Sequence, residues 1–170
     1  CRSAEKKHEN IDWNLRRKQF EGIVEKYRSK DGKKYDCLIP VSGGKDSTFQ
    51  VYMMKHVFKM NPLCAHFEPT YPSKLGRDNL ANLRKLGVDV ITFTPNWQVV
   101  KKLMLEALIR KGDFCWHCHA GVFAYPMQIA VKFQIPLLIW GEGGGEYEAY
   151  FKYEDIEETD EWKFNRRIIM

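Results

Sequence analysis

Tyr35-Asp36-Cys37-Leu38-Ile39-Pro40-Val41-Ser42-Gly43-Gly44-Lys45-Asp46-Ser47-Thr48 is the stretch on which the fold turns. Residues 35–41 form a compact apolar run that suits a strand of a buried parallel sheet. Two glycines follow, and residues 46–59 return to helical spacing, with Phe49, Met53, Val57 and Met60 on one face. Consecutive glycines between a strand and a helix let the backbone come close to an anion. The first turn of the helix then offers free N–H groups and the positive end of its dipole. Ser42 and Ser47 add hydroxyl donors, and Lys45 adds charge. Bare phosphate would repel Asp46, so its presence predicts a Mg²⁺ bridging the two. A plain strand-to-helix turn is the alternative. Finding Ser, Gly, Gly, Asp and Ser in one ordered hexapeptide argues against it.

Working outward, strand and helix alternate. Residues 12–28 place Trp13, Phe20, Ile23, Val24 and Tyr27 at helical spacing, and 29–34 form a polar turn. Asn61-Pro62 ends the helix that follows the glycines. Residues 63–67 read as a second strand, 76–86 as a helix closed by Gly87, and 88–94 as a third strand. A helix over 98–110 carries Val99, Val100, Leu103, Ala107 and Leu108 as its expected inner stripe. A helix over 121–133 and a fourth strand over 136–140 complete the pattern, which ends in the glycine-rich Gly141-Glu142-Gly143-Gly144-Gly145-Glu146. The alternation predicts an α/β fold, a Rossmann-like parallel sheet flanked by helices. Ligands of such sheets sit at the carboxyl ends of the strands, so residues 42–47, 66–70, 94–96 and 141–146 are expected around one crevice.

Two better-known phosphate loops are excluded. A Walker loop needs glycine five positions before the Gly–Lys pair, where Ile39 stands. The dinucleotide fingerprint needs Gly-x-Gly-x-x-Gly, and only Gly43 and Gly44 are present.

Composition sets bounds on the rest. The 170 residues suffice for one cored domain, and the longest apolar run is too short to span a bilayer. The net charge of +5 is mild. Its basic runs read as solvated helix faces, and no aromatic-interleaved basic stripe suggests single-strand binding, so neither a membrane nor a nucleic acid is the expected partner. Five cysteines (Cys1, Cys37, Cys64, Cys115 and Cys118) and no signal-peptide pattern point to a reducing cytoplasm rather than a disulfide scaffold. The chain opens on Cys1 and stops at Ile168-Ile169-Met170, so it reads as part of a longer protein.

Ser42-Gly43-Gly44-Lys45-Asp46-Ser47 resembles the signature of the PP-loop ATPases. That resemblance implies an adenine nucleotide alpha-hydrolase-like domain that adenylates a carbonyl oxygen and releases pyrophosphate. Ser42, Gly43, Gly44, Lys45, Asp46 and Ser47 would hold the phosphates of ATP, with Asp46 on Mg²⁺ and Lys45 and Asp46 in catalysis. Asp113-Phe114-Cys115-Trp116-His117-Cys118-His119-Ala120-Gly121, Ile139-Trp140-Gly141-Glu142, Glu146-Tyr147, Gln50-Val51-Tyr52 and Asn61-Pro62-Leu63 are similar to the N-acetyl sugar amidotransferases of bacterial surface-polysaccharide and flagellin-glycan synthesis. The implied reaction converts the acetamido group of an N-acetyl sugar into an acetamidine, with ammonia from a separate glutaminase subunit. The implied organisation is an N-terminal helical segment over 1–34, the PP-loop domain over 35–150 and the start of an extension over 151–170.

Cys115 and Cys118 have metal-ligand spacing, and Cys1 is a candidate third ligand. A structural zinc is favoured over an iron–sulfur cluster. A thioredoxin-like pair fits less well because no strand precedes the motif, and two buried cysteines in a tight corner are the plain alternative. Glu142 and Glu146 face the glycine loop across the expected crevice, where they could hold Mg²⁺, orient ammonia or act as a base; exposed acids in a glycine loop are the alternative. His66 ends the second strand, either touching nucleotide or packing there. Cys37 and Cys64 read as small core residues. A tRNA-thiolating enzyme of the same superfamily and a non-catalytic nucleotide- or metal-binding scaffold are the rival readings.

Overall fold

Asp12 opens the first helix, α1 (Trp13–Tyr27), by accepting from the backbone N–H groups of Asn14 and Leu15 at 3.0 Å each. The structure is a computed structural model and describes residues 11–141; the expectations for Cys1, Glu142, Glu146 and the segment 151–170 lie outside those residues. The elements that follow are β1 (Cys37–Pro40), α2 (Lys45–Tyr52), β2 (Pro62–Phe67), α3 (Lys74–Leu83), β3 (Asp89–Phe93), α4 (Trp97–Lys111) and α5 (Trp116–Lys132). Helix α2 runs on into a π turn over Met53–Val57, and α3 ends in a 3₁₀ turn over Arg84–Leu86. Gly87, at φ 74°, closes that turn in the left-handed conformation.

The three strands are parallel in the order β1-β2-β3, with Ile39 opposite Cys64 and Ala65 opposite Ile91. After β3 the chain crosses back to the free edge of β1. There the Leu38 N–H donates to the Leu137 carbonyl at 2.8 Å, and the Ile139 N–H donates to the Leu38 carbonyl at 2.9 Å. The fourth strand expected over 136–140 is therefore a single parallel bridge, Leu38 to Leu138, rather than a full ladder. Strand order thus reverses beside β1, the point at which doubly wound sheets open a ligand crevice. The α/β, Rossmann-like architecture read from the sequence is the one observed.

Side chains alternate along β1, and the two faces close separate cores. Cys37, Ile39 and Val41 pack with Cys64, Val51, Met54, Met60, Leu83 and Val24 under α1, α2 and α3. Leu38, Leu63 and Ala65 pack with Ile129, Ala130 and Ile135 under α5. Cys37 and Cys64 are core residues, as their placement in strands implies.

Three expected stripes fail. After the glycine loop Phe49 (62% exposed) and Val57 (41%) face outward, and Val51 and Met54 are buried instead. Val99 (54% exposed), Leu103 (41%) and Leu108 (51%) do not face inward; of the α4 stripe only Val100 and Ala107 are buried. The helix lies against α5 rather than flat on the sheet, so a narrow line of small and branched residues suffices. In α1, Trp13 and Ile23 are likewise exposed, and Val24 with Phe20, which meets the Phe58 ring edge-to-face at 5.1 Å, makes the seam.

Candidate functional site

The glycine loop leaves β1 at Val41, whose N–H donates to the Ala65 carbonyl at 2.9 Å, so the loop starts from a fixed point of the sheet. Within it three weak bonds form a ring: Gly44 N–H to Ser42 Oγ at 3.3 Å, Ser42 N–H to Ser47 Oγ at 3.4 Å, and Ser47 Oγ to the Gly44 carbonyl at 3.1 Å. Thr48 adds its hydroxyl, 2.9 Å from the same carbonyl. Gly44 is the N-cap of α2 and has no side chain to cap it. The first-turn N–H groups of the helix therefore point where an anion would sit.

Helix α3 braces the loop from the side. Gly43 has φ 78°, and a Cβ there would run into the Gly76 carbonyl and approach Leu80 Cγ at 3.2 Å. Asn79 Nδ2 donates to the Gly43 carbonyl at 2.8 Å. Ser73 caps α3 by accepting from the Gly76 N–H at 3.0 Å, which starts the helix two residues before the expected position 76.

Lys45 and Asp46 project outward, Nζ lying 2.7 and 2.9 Å from the two carboxylate oxygens. Their side chains are 88% and 67% exposed, so the pair adds little to stability and both groups are open to a ligand. Gly43 against the backbone of α3, an uncapped helix start and an outward carboxylate are the features that could hold a phosphate-bearing ligand and its cation. Asp46 would hold the ion, and the loop would hold the phosphates.

Beside the loop lies a cavity of about 220 Å³ lined by Ser42, His66, Glu68, Tyr71, Arg77 and Leu80, among others. His66 is 3% exposed, and its Nδ1 donates to the Val41 carbonyl at 2.7 Å. It packs the strand end and lines the cavity. Glu68 accepts from the Thr94 hydroxyl at 2.6 Å, tying the ends of β2 and β3 together. Tyr71 (70% exposed) and Trp97 (41% exposed) meet edge-to-face at 5.9 Å on the rim.

The cysteine corner lands beside this crevice. Cys115 is the N-cap of α5, and the Cys118 N–H donates to the Cys115 carbonyl at 2.9 Å. His117, 8% exposed, donates from Nδ1 to the Phe114 carbonyl at 3.2 Å, so Nε2 accepts from the Thr70 hydroxyl at 2.9 Å. Burial pushes the Cys118 thiol up; the backbone of Thr70 pulls the other way, and Cys115 raises it further. Gly121 presses on the Phe67 ring, which occupies the place a side chain there would need. Among the described residues no group of three or more His, Cys, Asp or Glu is gathered for a metal ion, so Cys115 and Cys118 supply at most half of a tetrahedral site.

The structure thus brings together Ser42, Gly43, Gly44, Lys45, Asp46, Ser47 and His66, and sets Cys115 and Cys118 behind Thr70. Glu68 falls in the stretch 66–70 expected at the crevice, whereas Asn79, Gly76, Tyr71 and Arg77 were not singled out. These come from a helix and a loop with no motif of their own, and Ser73 as a capping residue was the one sequence signal that could have found the start of that helix. Among the described residues no helix is long and apolar enough to cross a membrane.

No protein-family model matches the chain. An uncharacterized protein of Methanocaldococcus jannaschii is 27% identical over 147 residues, which is 85% of this chain and 50% of that protein. The chain spans about half the length of the curated relative it matches. A crystal structure of a predicted subunit of tRNA methyltransferase, also from Methanocaldococcus jannaschii, shares 18% identity over 79% of this chain and 64% of that one, with a TM-score of 0.38. A likeness that distant carries no argument about function.

Proposed function

We propose that the chain is an AMP-forming ATP pyrophosphatase domain that activates a carbonyl oxygen for attack by ammonia. One observation carries the reading. An uncapped glycine loop, braced through Asn79 and Gly76, opens beside a cavity of about 220 Å³ at the carboxyl end of β2. The loop N–H groups and Lys45 would neutralise the phosphate charge that grows as pyrophosphate leaves, and Mg²⁺ on Asp46 would add Lewis-acid polarisation of the phosphates.

The acceptor is taken from the resemblance of residues 113–121 and 139–147 to the N-acetyl sugar amidotransferases. The acetamido oxygen attacks the α-phosphorus of ATP, the bond to the β-phosphate bridge breaks and pyrophosphate departs. Ammonia then adds to the imidate carbon and AMP leaves, giving the acetamidine. An amide oxygen is a poor leaving group, and adenylation converts it into a good one. Positioning would supply most of the rate, with Glu142 and Glu146 proposed to orient ammonia or accept its proton. Ammonia would come from a separate glutaminase subunit.

The test uses the chain with ATP, Mg²⁺, ammonium and a panel of nucleotide-linked N-acetyl sugars, reading AMP, pyrophosphate and sugar mass. AMP that appears with one sugar, coupled to exchange of an oxygen for NH and lost in Asp46→Ala, supports the reading. ATP binding with no sugar-dependent AMP removes the sugar and favours thiolation or a scaffold. Absence of ATP binding removes the whole proposal.

A further inference from the structure

The sequence motif that this function leaves unused is the Cys115–Cys118 pair, and the structure sets it against the wall of the cavity. Thr70 belongs to the short segment, residues 68–73, whose Glu68, Pro69, Tyr71, Pro72 and Ser73 line the cavity. One residue of the first turn of α5, lying between the two cysteines, holds Thr70: His117 accepts its hydroxyl at 2.9 Å. The wall of the cavity is therefore fastened to the first turn of the helix that carries both cysteines.

The geometry of that turn suits a disulfide. Cys115 is the N-cap and Cys118 lies three residues on, joined by a 2.9 Å backbone bond. Residues three apart on a helix have Cα atoms roughly 5 Å apart, inside the range a disulfide spans. Neither cysteine is sealed in the core, unlike Cys37 and Cys64, which are 0% exposed. An S–S bond of about 2.0 Å requires the two sulfurs to turn toward each other across the turn that carries His117, the residue that holds Thr70.

We propose that Cys115 and Cys118 form a thiol–disulfide couple that tightens the cavity wall when reduced and releases it when oxidised. The oxidant is a small-molecule disulfide such as oxidised glutathione. One cysteine thiolate attacks it, forming a mixed disulfide and expelling one glutathione thiolate. The second cysteine then attacks the mixed disulfide and expels the other. The two cysteines lose two protons and two electrons together, and one oxidised glutathione becomes two reduced ones. That the wall's release weakens nucleotide binding rests on the ATP reading above; the coupling of the cysteines to residues 68–73 does not.

The experiment equilibrates the full chain across ratios of reduced to oxidised glutathione, traps thiols by alkylation, and follows amide hydrogen exchange of residues 68–73 by mass spectrometry. The expected result is a Cys115–Cys118 disulfide, with Cys37 and Cys64 still as thiols. Exchange over 68–73 should be roughly fivefold faster in the oxidised protein, and Cys115→Ser should be insensitive to oxidised glutathione. Failure to form the disulfide, alkylation that proceeds only after a chelator strips zinc, or a disulfide that leaves exchange unchanged would each overturn the proposal. A parallel titration with a non-hydrolysable ATP analogue separates the two readings. Exchange that responds while no nucleotide binds in either state leaves the couple standing and removes the ATP site. Nucleotide that binds while exchange stays fixed does the reverse.

Discussion

Gly43 and Gly76 meet backbone to backbone, so that a side chain on Gly43 would collide with the Gly76 carbonyl oxygen. The contact joins the phosphate loop to α3 with no side chain between them, and a left-handed φ of 78° at Gly43 makes it possible. In Gly43→Ala the backbone conformation alone should cost about 1–3 kcal/mol, and the collision adds to it. Urea denaturation should show the loss. Nucleotide binding, followed by quenching of tryptophan fluorescence, should fall further than stability does. A variant as stable as the parent would show that the loop can move away from α3.

Asn79 offers a milder test of the same brace. Its amide donates to the Gly43 carbonyl at 2.8 Å from a position with no other role in the site. Asn79→Ala should weaken nucleotide binding roughly tenfold while lowering stability by about 1 kcal/mol, the worth of one hydrogen bond. Equal affinity in calorimetry would mean the loop holds its shape unaided.

At the opposite end of the strands, Asp36 is 4% exposed and accepts from the Ser29 and Asn61 N–H groups, the latter at 2.7 Å. Asp36→Ala leaves two part-buried backbone donors without partners, which should cost roughly 2 kcal/mol. Because the site lies at the other ends of the strands, nucleotide affinity of the folded fraction should hold. A thermal melt together with a binding titration separates the two effects.

Alkaline pH should act through the core. Burial pushes the thiols of Cys37 and Cys64 up to about 12, with the neighbouring Asp36 and Cys64 raising Cys37 further and Asp89 raising Cys64. In the unfolded chain these thiols ionise near their ordinary value, so between that value and about 12 the folded state binds more protons. Stability is intact below that window and is lost as pH rises through it, at about 1.4 kcal/mol per pH unit for each thiol. A Cys37→Ala/Cys64→Ala double variant should be less stable at pH 7 yet lose stability less steeply above pH 9. Parallel slopes would exclude the thiols as the cause.

Most of the fold was legible because burial on both faces imposes its own spelling. Cys37–Pro40 is apolar throughout and Pro62–Phe67 is apolar but for His66, and the glycine pair between Ser42 and Lys45 marks the turn from β1 into a helix. Less was legible where contacts replace pattern. Val99, Val100, Leu103, Ala107 and Leu108 spell one apolar face, yet α4 rests on α5 along its centre line, Val100 and Ala107, and leaves Val99, Leu103 and Leu108 outside on either side. Residues 136–140 read as a strand, but only Leu38 and Leu138 bridge, because the ladder is limited by how much of the neighbouring edge runs alongside. The brace of the site was hidden for a similar reason. Asn79 and Gly76 are ordinary helix residues until the fold sets them against Gly43, and Thr70 gains its place only through His117, about fifty positions later.

The bridge between Leu38 and Leu138 has a consequence for biosynthesis. β1 finds its first neighbour in β2 soon after translation, but its other edge waits until a hundred further residues have been made. At the ~5–20 residues per second of a working ribosome, that edge stays unpaired for roughly 5–20 seconds. An aliphatic strand left open for so long is a template for pairing with any other nascent chain. Slow codons or heat shock between positions 41 and 138 should therefore raise aggregation more than the same delay placed after Gly141, and chaperone capture should be greatest in that interval.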